Sequence, residues 1–136
     1  MEISNSQIKY LLTIYLLKHN RKIRSMDIAR RLNVSKPSVH KMLEQLRDLD
    51  LIEKEKYSEI FLTEKGEEIA KSFYEEYCGI CDCLSSNMPL HDEIIEEGAL
   101  LLLCGYSQEH RKEFCRCIHL NEQNELEEKY ELINNM

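Results

Sequence analysis

The sequence predicts a mainly α fold: a winged helix-turn-helix with a two-stranded wing over residues 1–65, followed by a helical linker and dimerisation domain over residues 66–136. Three observations carry that prediction. "NVSKPSVHKMLEQL" sets a proline just after a serine suited to capping a helix, "LIEKEKYSEIFLT" holds two short β-prone runs around a polar tip, and "EKGEEIAKSFYEEYCGICDCLSS" reads as one helix long enough for a linker or dimerisation helix.

The first helix is read from "SQIKYLLTIYLLKH", where Ile8, Leu11, Leu12, Tyr15 and Leu16 recur at helical spacing; Ser4 or Ser6 is available as its N-cap, and its end is expected near Asn20. After the basic link "NRKIR", Ser25 is expected to cap a short helix from Met26 to Leu32 with Ile28, Ala29 and Leu32 on one face and Asn33 at its end. Ser35 then caps a third helix. A proline in the first turn loses only an N–H that would have had no helical partner, so Pro37 starts this helix rather than breaking it. Val39, Met42, Leu43 and Leu46 are expected inside, which leaves Lys36, Ser38, His40, Lys41 and Gln45 facing solvent or a ligand. Two helices joined by "NVS" make a helix-turn-helix. "LIEKEK" and "EIFLT", separated by Tyr57, Ser58 and Glu59, make the hairpin that completes the winged form.

Thr63 is expected to cap a long helix, "EKGEEIAKSFYEEYCGICDCLSS", with Ile69, Phe73, Tyr77 and Ile80 on one side, as in a linker or dimerisation helix. "SNMP" breaks it, "LHDEIIEEGALLLLC" forms a shorter and very apolar helix, and "SQEHRKEFCRCIHLNEQNELEEKYELI" supplies one or two more. There is no internal repeat and no low-complexity tract.

Charge divides the chain. Residues 1–65 carry 13 Lys and Arg against 9 Asp and Glu, net +4, and residues 66–136 carry 5 against 16, net −11, which together give the formal −7. Between Lys18 and Lys41 stand eight cations (Lys18, Arg21, Lys22, Arg24, Arg30, Arg31, Lys36 and Lys41) and one anion, Asp27, a local field suited to a polyanion. Enzyme chemistry has little support, for the four glycines form no phosphate-cradling loop and neither a nucleophile elbow nor an HExxH motif occurs. No run of 18 apolar residues exists, and "MEISNSQIKY" lacks the features of a secretory signal, so no membrane partner is expected and the protein is placed in the cytoplasm with reduced thiols.

A helix-turn-helix lays its second helix in the major groove of double-stranded DNA, where its N-terminal residues reach base edges while flanking groups hold phosphates. The candidates are Ser35, Lys36, Pro37, Ser38, His40 and Lys41 on the third helix, with Arg24, and with Lys54, Lys56 and Tyr57 on the wing. Serine and lysine donate to bases or phosphate, and the proline ring can meet a thymine methyl.

"DIARRLNVSKPSVHKMLEQLRDLDLIEKEKYSEIFLTEKGEEIA" resembles the diphtheria-toxin-repressor family of metal-dependent repressors, which includes iron and manganese regulators. The similarity is strongest from residue 4 to about 77 and looser to 136, where the order of helices resembles the family's dimerisation domain. The resemblance implies a homodimeric repressor that binds a palindromic operator when metal is bound. It also implies a metal site with an acidic or thioether ligand from the first helix, a histidine from the linker helix, and a Cys/Glu-x-x-Glu-His set from the next helix. At the matching positions this chain has Lys9 and Leu12, Tyr77 with Cys81 beyond it, and Leu100, Leu103 and Cys104. The oxygen-rich set that manganese prefers is therefore not expected. Cys78, Cys81 and Cys104 are the candidates for a soft transition metal, zinc, iron or an iron–sulfur cluster, with Cys83, Cys115, Cys117 and His119 nearby in sequence. Inert cysteines and a disulfide switch stay open beside that reading. A winged-helix protein-interaction adaptor or a thiol-based redox sensor is the functional alternative.

Overall fold

The structure, a computed structural model of the 136-residue chain, describes residues 2–18, 22–55, 59–107, 109–114, 116 and 131–135. It divides into two compact units, Met1–Glu75 and Glu76–Met136. The first holds three helices and a two-stranded hairpin, the winged form expected, with the first half of a long helix; the second holds the other half of that helix and the helices that follow.

Helix α1 (Asn5–Leu17) opens on a capping box: the Ser4 side chain accepts from the Gln7 N–H at 3.2 Å and the Gln7 side chain accepts from the Ser4 N–H at 3.0 Å. Tyr10, Leu11, Ile14 and Tyr15 turn into the core. Its last assigned residue is Leu17, and the expected end near Asn20 falls on residues outside those described.

Helix α2 (Ser25–Leu32) begins one residue earlier than expected, with Arg24 rather than Ser25 in the capping position. The cause is tertiary. Ile23 is held in an antiparallel bridge to Ile60, whose N–H donates to the Ile23 carbonyl at 2.9 Å, so the chain leaves Ile23 extended through Arg24 and turns helical at Ser25. An arginine side chain offers no acceptor; instead the Asp27 carboxylate accepts from the Arg24 N–H at 2.9 Å, and its charge suits the first turn. Asn33 ends the helix in the left-handed region, at φ 53°, a conformation asparagine tolerates better than most residues.

Helix α3 (Lys36–Asp48) starts as the sequence predicts, with Ser35 as N-cap and Pro37 as its second residue. Val39, Leu43 and Leu46 are buried, while Met42, expected inside with them, is only half-buried. Strands β1 (Ile52–Lys54) and β2 (Ile60–Leu62) pair antiparallel, with Ile52 opposite Leu62, Glu53 opposite Phe61 and Lys54 opposite Ile60. Ile52 and Ile60 point into the core, which they share with Ile14, Ile28, Val39, Leu46 and Leu51.

The end of α3, the hairpin and helix α4 (Glu64–Asn87) meet at one turn. Asp50 adopts φ 59°, and the Leu51 N–H returns to the Leu46 carbonyl at 3.0 Å, closing α3. Thr63 caps α4 as expected: its hydroxyl accepts from the Gly66 N–H at 2.9 Å and donates to the Asp50 carbonyl at 2.6 Å. The Thr63 N–H donates to the Leu51 carbonyl at 3.1 Å, and Lys65 Nζ donates to the Leu49 carbonyl at 3.2 Å. A Cβ on Gly66 would overlap the Leu51 carbonyl oxygen, so only glycine lets the helix come this close.

In the second unit Tyr77 and Ile80 of α4 are buried, as are Ile95, Ala99 and Leu103 of helix α5 (Asp92–Gly105). Buried Arg111 donates to the Leu103 and Tyr106 carbonyls at 3.3 and 2.9 Å, at the end of α5 where a cation suits the helix dipole, and its Nε lies 3.3 Å from the Glu76 carboxylate. No helix among the described residues is long and apolar enough to cross a membrane.

The two helical glycines of α4 predict opposite responses to alanine. Gly66→Ala is expected to lower stability by about 1–3 kcal/mol, because the Leu51 backbone must give way. Gly79→Ala, with open space around the added methyl, is expected to raise it by about 0.5–1 kcal/mol. Urea unfolding followed by circular dichroism measures both, and equal effects of the two substitutions would refute the close approach.

Candidate nucleic-acid interface

The start of α3 is built by its own sequence. Ser35 is extended, at ψ 153°, and its Oγ accepts from the Ser38 N–H at 3.3 Å while lying 2.8 Å from Ser38 Oγ. The Val39 N–H donates to the Ser35 carbonyl at 3.1 Å. Pro37, with no N–H, leaves that first turn with fewer donors to satisfy. The remaining ones face outward from a helix N-terminus, a position that favours an anionic partner.

Val39, Leu43 and Leu46 anchor one side of α3, so the opposite side is fixed toward solvent. Ser35, Lys36, Pro37, Ser38, His40 and Lys41 are all exposed and lie on or beside the first two turns. Arg24, at the head of α2, and Lys54, on β1, are exposed as well. Lys56 and Tyr57, the other wing candidates, lie outside the described residues.

The exposed side of α3 continues past Lys41. Glu44, Arg47 and Asp48 are also exposed, at the helical spacing that extends a stripe from Pro37 through His40 and Lys41. His40 Nε2 lies 3.5 Å from Glu44 Oε1. Together with Arg47 and Lys54 these two side chains line a shallow hollow beside Leu43 and Ile52. Glu44 and Arg47 were missed among the sequence candidates, although the spacing i+4 and i+7 from His40 reaches both.

Other cations of the basic segment are engaged elsewhere. Lys18 pairs with Glu67 and lies over the Tyr15 ring, 4.5 Å from its centroid, and Lys22 pairs with Glu59 at 3.0 Å. They brace the flank of the first unit. Lys36 and Lys41 are the cations of the basic segment at the start of α3, as Arg24 is at the start of α2.

The metal candidates lie on the other unit. Cys78, Cys81, Cys83 and Cys104 are half-buried thiols, none of them in a disulfide, whereas Cys115, Cys117 and His119 lie outside the described residues. Burial pushes the Cys81 thiol above its ordinary pKa; a Tyr77 hydrogen bond opposes this, and the charges of Cys78, Glu96 and Asp82 add to it. Burial and neighbouring negative charge thus disfavour the Cys81 thiolate relative to a solvated cysteine. Among the described residues no group of three or more His, Cys, Asp or Glu side chains is placed to hold a metal ion. These residues do not fit the oxygen-rich shell that manganese takes.

Comparison with known proteins agrees with this geometry. The iron dependent repressor N-terminal DNA binding domain matches residues 2–60. An uncharacterised HTH-type transcriptional regulator of Methanocaldococcus jannaschii is 33% identical over 109 residues, 79% of this chain and 87% of that protein. The transcriptional regulator MntR of Escherichia coli O6:H1 is 39% identical over 62 residues, 46% of this chain and 40% of MntR. The solved structure of the manganese regulator SloR superposes with a TM-score of 0.63 at 30% identity, covering 85% of this chain and 55% of SloR. The chain thus spans well under two thirds of MntR and SloR but most of the M. jannaschii protein. The helix-turn-helix with its Ser35-capped α3, the hairpin and these matches together show that the chain belongs to the iron-dependent repressor family of transcriptional regulators, a family of regulators and not of enzymes.

Proposed function

We propose that the chain is a DNA-binding transcriptional regulator, a repressor by type, which binds a palindromic operator as a homodimer and reads it with α3. The observation that carries this reading is the exposed, Ser35-capped start of α3, which presents Lys36, Ser38, His40 and Lys41 from a helix anchored on its other side by Val39, Leu43 and Leu46. Arg24 and Lys54 flank it and are suited to phosphate, as Lys56 and Tyr57 of the wing are by their chemistry. Affinity in such an arrangement comes mainly from cations that displace counterions, and specificity from the few side chains that reach base edges.

A second copy of the chain is supported by α5. Ile94 and Leu101, two turns apart, are 50% and 64% exposed, and Met88 and Leu90 before the helix are exposed as well, while Ile95, Ala99 and Leu103 already fill the inner side. Apolar groups at that spacing suit a helix–helix contact.

SloR is a manganese regulator, but here the residues at the positions the family resemblance assigns to the metal include Lys9, Leu12, Tyr77, Leu100 and Leu103. We take the effector site to be degenerate or rebuilt around Cys78, Cys81 and Cys104, whose thiols suit zinc, iron or an iron–sulfur cluster and not manganese.

Three measurements follow. Lys36→Ala and Lys41→Ala are each expected to weaken binding to duplex DNA and to reduce the slope of log affinity against log salt by about one for a lost phosphate contact; unchanged affinity in both would remove α3 from the interface. Leu101→Glu is expected to give a monomer by light scattering where the wild-type chain is a dimer, and an unaltered dimer would place the contact elsewhere. Manganese is expected neither to copurify, by elemental analysis of anaerobically prepared protein, nor to change DNA affinity; affinity lost to chelator and restored by manganese alone would overturn the effector reading.

A further inference from the structure

Glu44 is an acidic residue in the middle of the exposed stripe of α3, between His40 and Lys41 on one side and Arg47 on the other, with Lys54 of β1 lining the same hollow. Stability does not account for it. The His40–Glu44 pair is exposed, 63% and 55%, where such pairs contribute little. If α3 enters a groove lined by phosphates, a carboxylate at this position is repelled unless it meets a hydrogen-bond donor.

The major groove offers two kinds of base donor, the N4 amino group of cytosine and the N6 amino group of adenine. On adenine the donor sits beside the N7 acceptor, which a carboxylate would face with a second lone pair. Cytosine presents its amino group without that neighbour, and its paired guanine presents O6 and N7, which accept from a cation or an imidazole N–H. Glu44 with His40 one turn before it and Lys41 beside it is an acceptor among donors, the pattern a C·G pair complements.

We infer that Glu44 is a specificity-determining residue that reads a cytosine in each half-site of the bound duplex, with His40 as its neighbouring donor. This rests on the reading of α3 as the DNA-contacting helix. A carboxylate there raises discrimination at the cost of general affinity, since every site lacking the cytosine leaves it facing acceptors and phosphate charge.

The test is selection from a randomised duplex pool with the full-length wild-type chain, Glu44→Gln and Glu44→Ala, followed by titration of the selected duplex and its single-base variants. Wild type is expected to enrich a cytosine at one position per half-site and to lose about ten-fold to a hundred-fold in affinity when that base is changed. Glu44→Gln is expected to shift the preference at that one position from cytosine to adenine, the base that an amide pairs with in two hydrogen bonds, and Glu44→Ala to remove it; the other positions stay as they were. Identical preferences in all three proteins, or a uniform rise in affinity without any change in preference, would overturn the inference while leaving DNA binding in place. Failure of the wild-type chain to bind any duplex would instead remove the DNA-binding reading, and this inference with it. Glu44 is exposed, so circular dichroism is expected to show the same thermal unfolding for all three.

Discussion

The carbonyl group of Leu51 is the point on which the arrangement of the first unit turns. It accepts the Thr63 N–H, and the bare Cα of Gly66 packs where no side chain would fit. Thr63 reaches Asp50 with its hydroxyl, and Lys65 reaches Leu49 with its ammonium group. The last turn of α3, the first residue of the hairpin and the first turn of α4 are therefore held to one short stretch of backbone. With Ile60 also bonded to Ile23, the hairpin is tied to the link before α2, and each piece of the helix-turn-helix is referred to the same frame. The exposed side of α3 has a defined direction because these ties and the buried Val39, Leu43 and Leu46 leave it no other.

Charge is arranged on that frame so that most of its cations do not compete for one task. Lys18 and Lys22 pair with Glu67 and Glu59 and serve the flank. Lys36 and Lys41 stand at the start of α3, where the dipole and the unsatisfied N–H groups act in the same direction as their side chains. An acidic chain thereby offers a local field for a polyanion, and the net charge of −7 says little about the partner of this surface.

The second unit is built from different chemistry. Arg111 satisfies the end of α5 and pairs with Glu76, a structural use of a buried charge. Four cysteines of this unit are half-buried, and burial and the neighbouring negative charges push the Cys81 thiol above its ordinary pKa. Among the described residues no three His, Cys, Asp or Glu side chains are grouped to hold a metal ion.

The sequence by itself determined the order of elements and most of their starts. Ser4, Ser35 and Thr63 cap helices because capping is decided within three or four residues, and Pro37 in a first turn is intelligible from its missing N–H alone. The six candidate residues from Ser35 to Lys41 were legible for the same reason, since helical periodicity separates them from Val39, Leu43 and Leu46. Glu44 and Arg47 obey that periodicity too, but they lie beyond the cationic run that marks the start of α3. The tertiary structure decided what depends on residues far apart in the chain. Arg24 displaced Ser25 as the cap of α2 because Ile60 holds Ile23 extended, and Gly66 is required because Leu51, fifteen residues earlier, lies against it. Arg111 is buried because the end of α5 and Glu76 offer it acceptors. Local rules reach about one helical turn; a carbonyl brought against a glycine, or a cation drawn inside by two distant acceptors, exists only once the chain has packed.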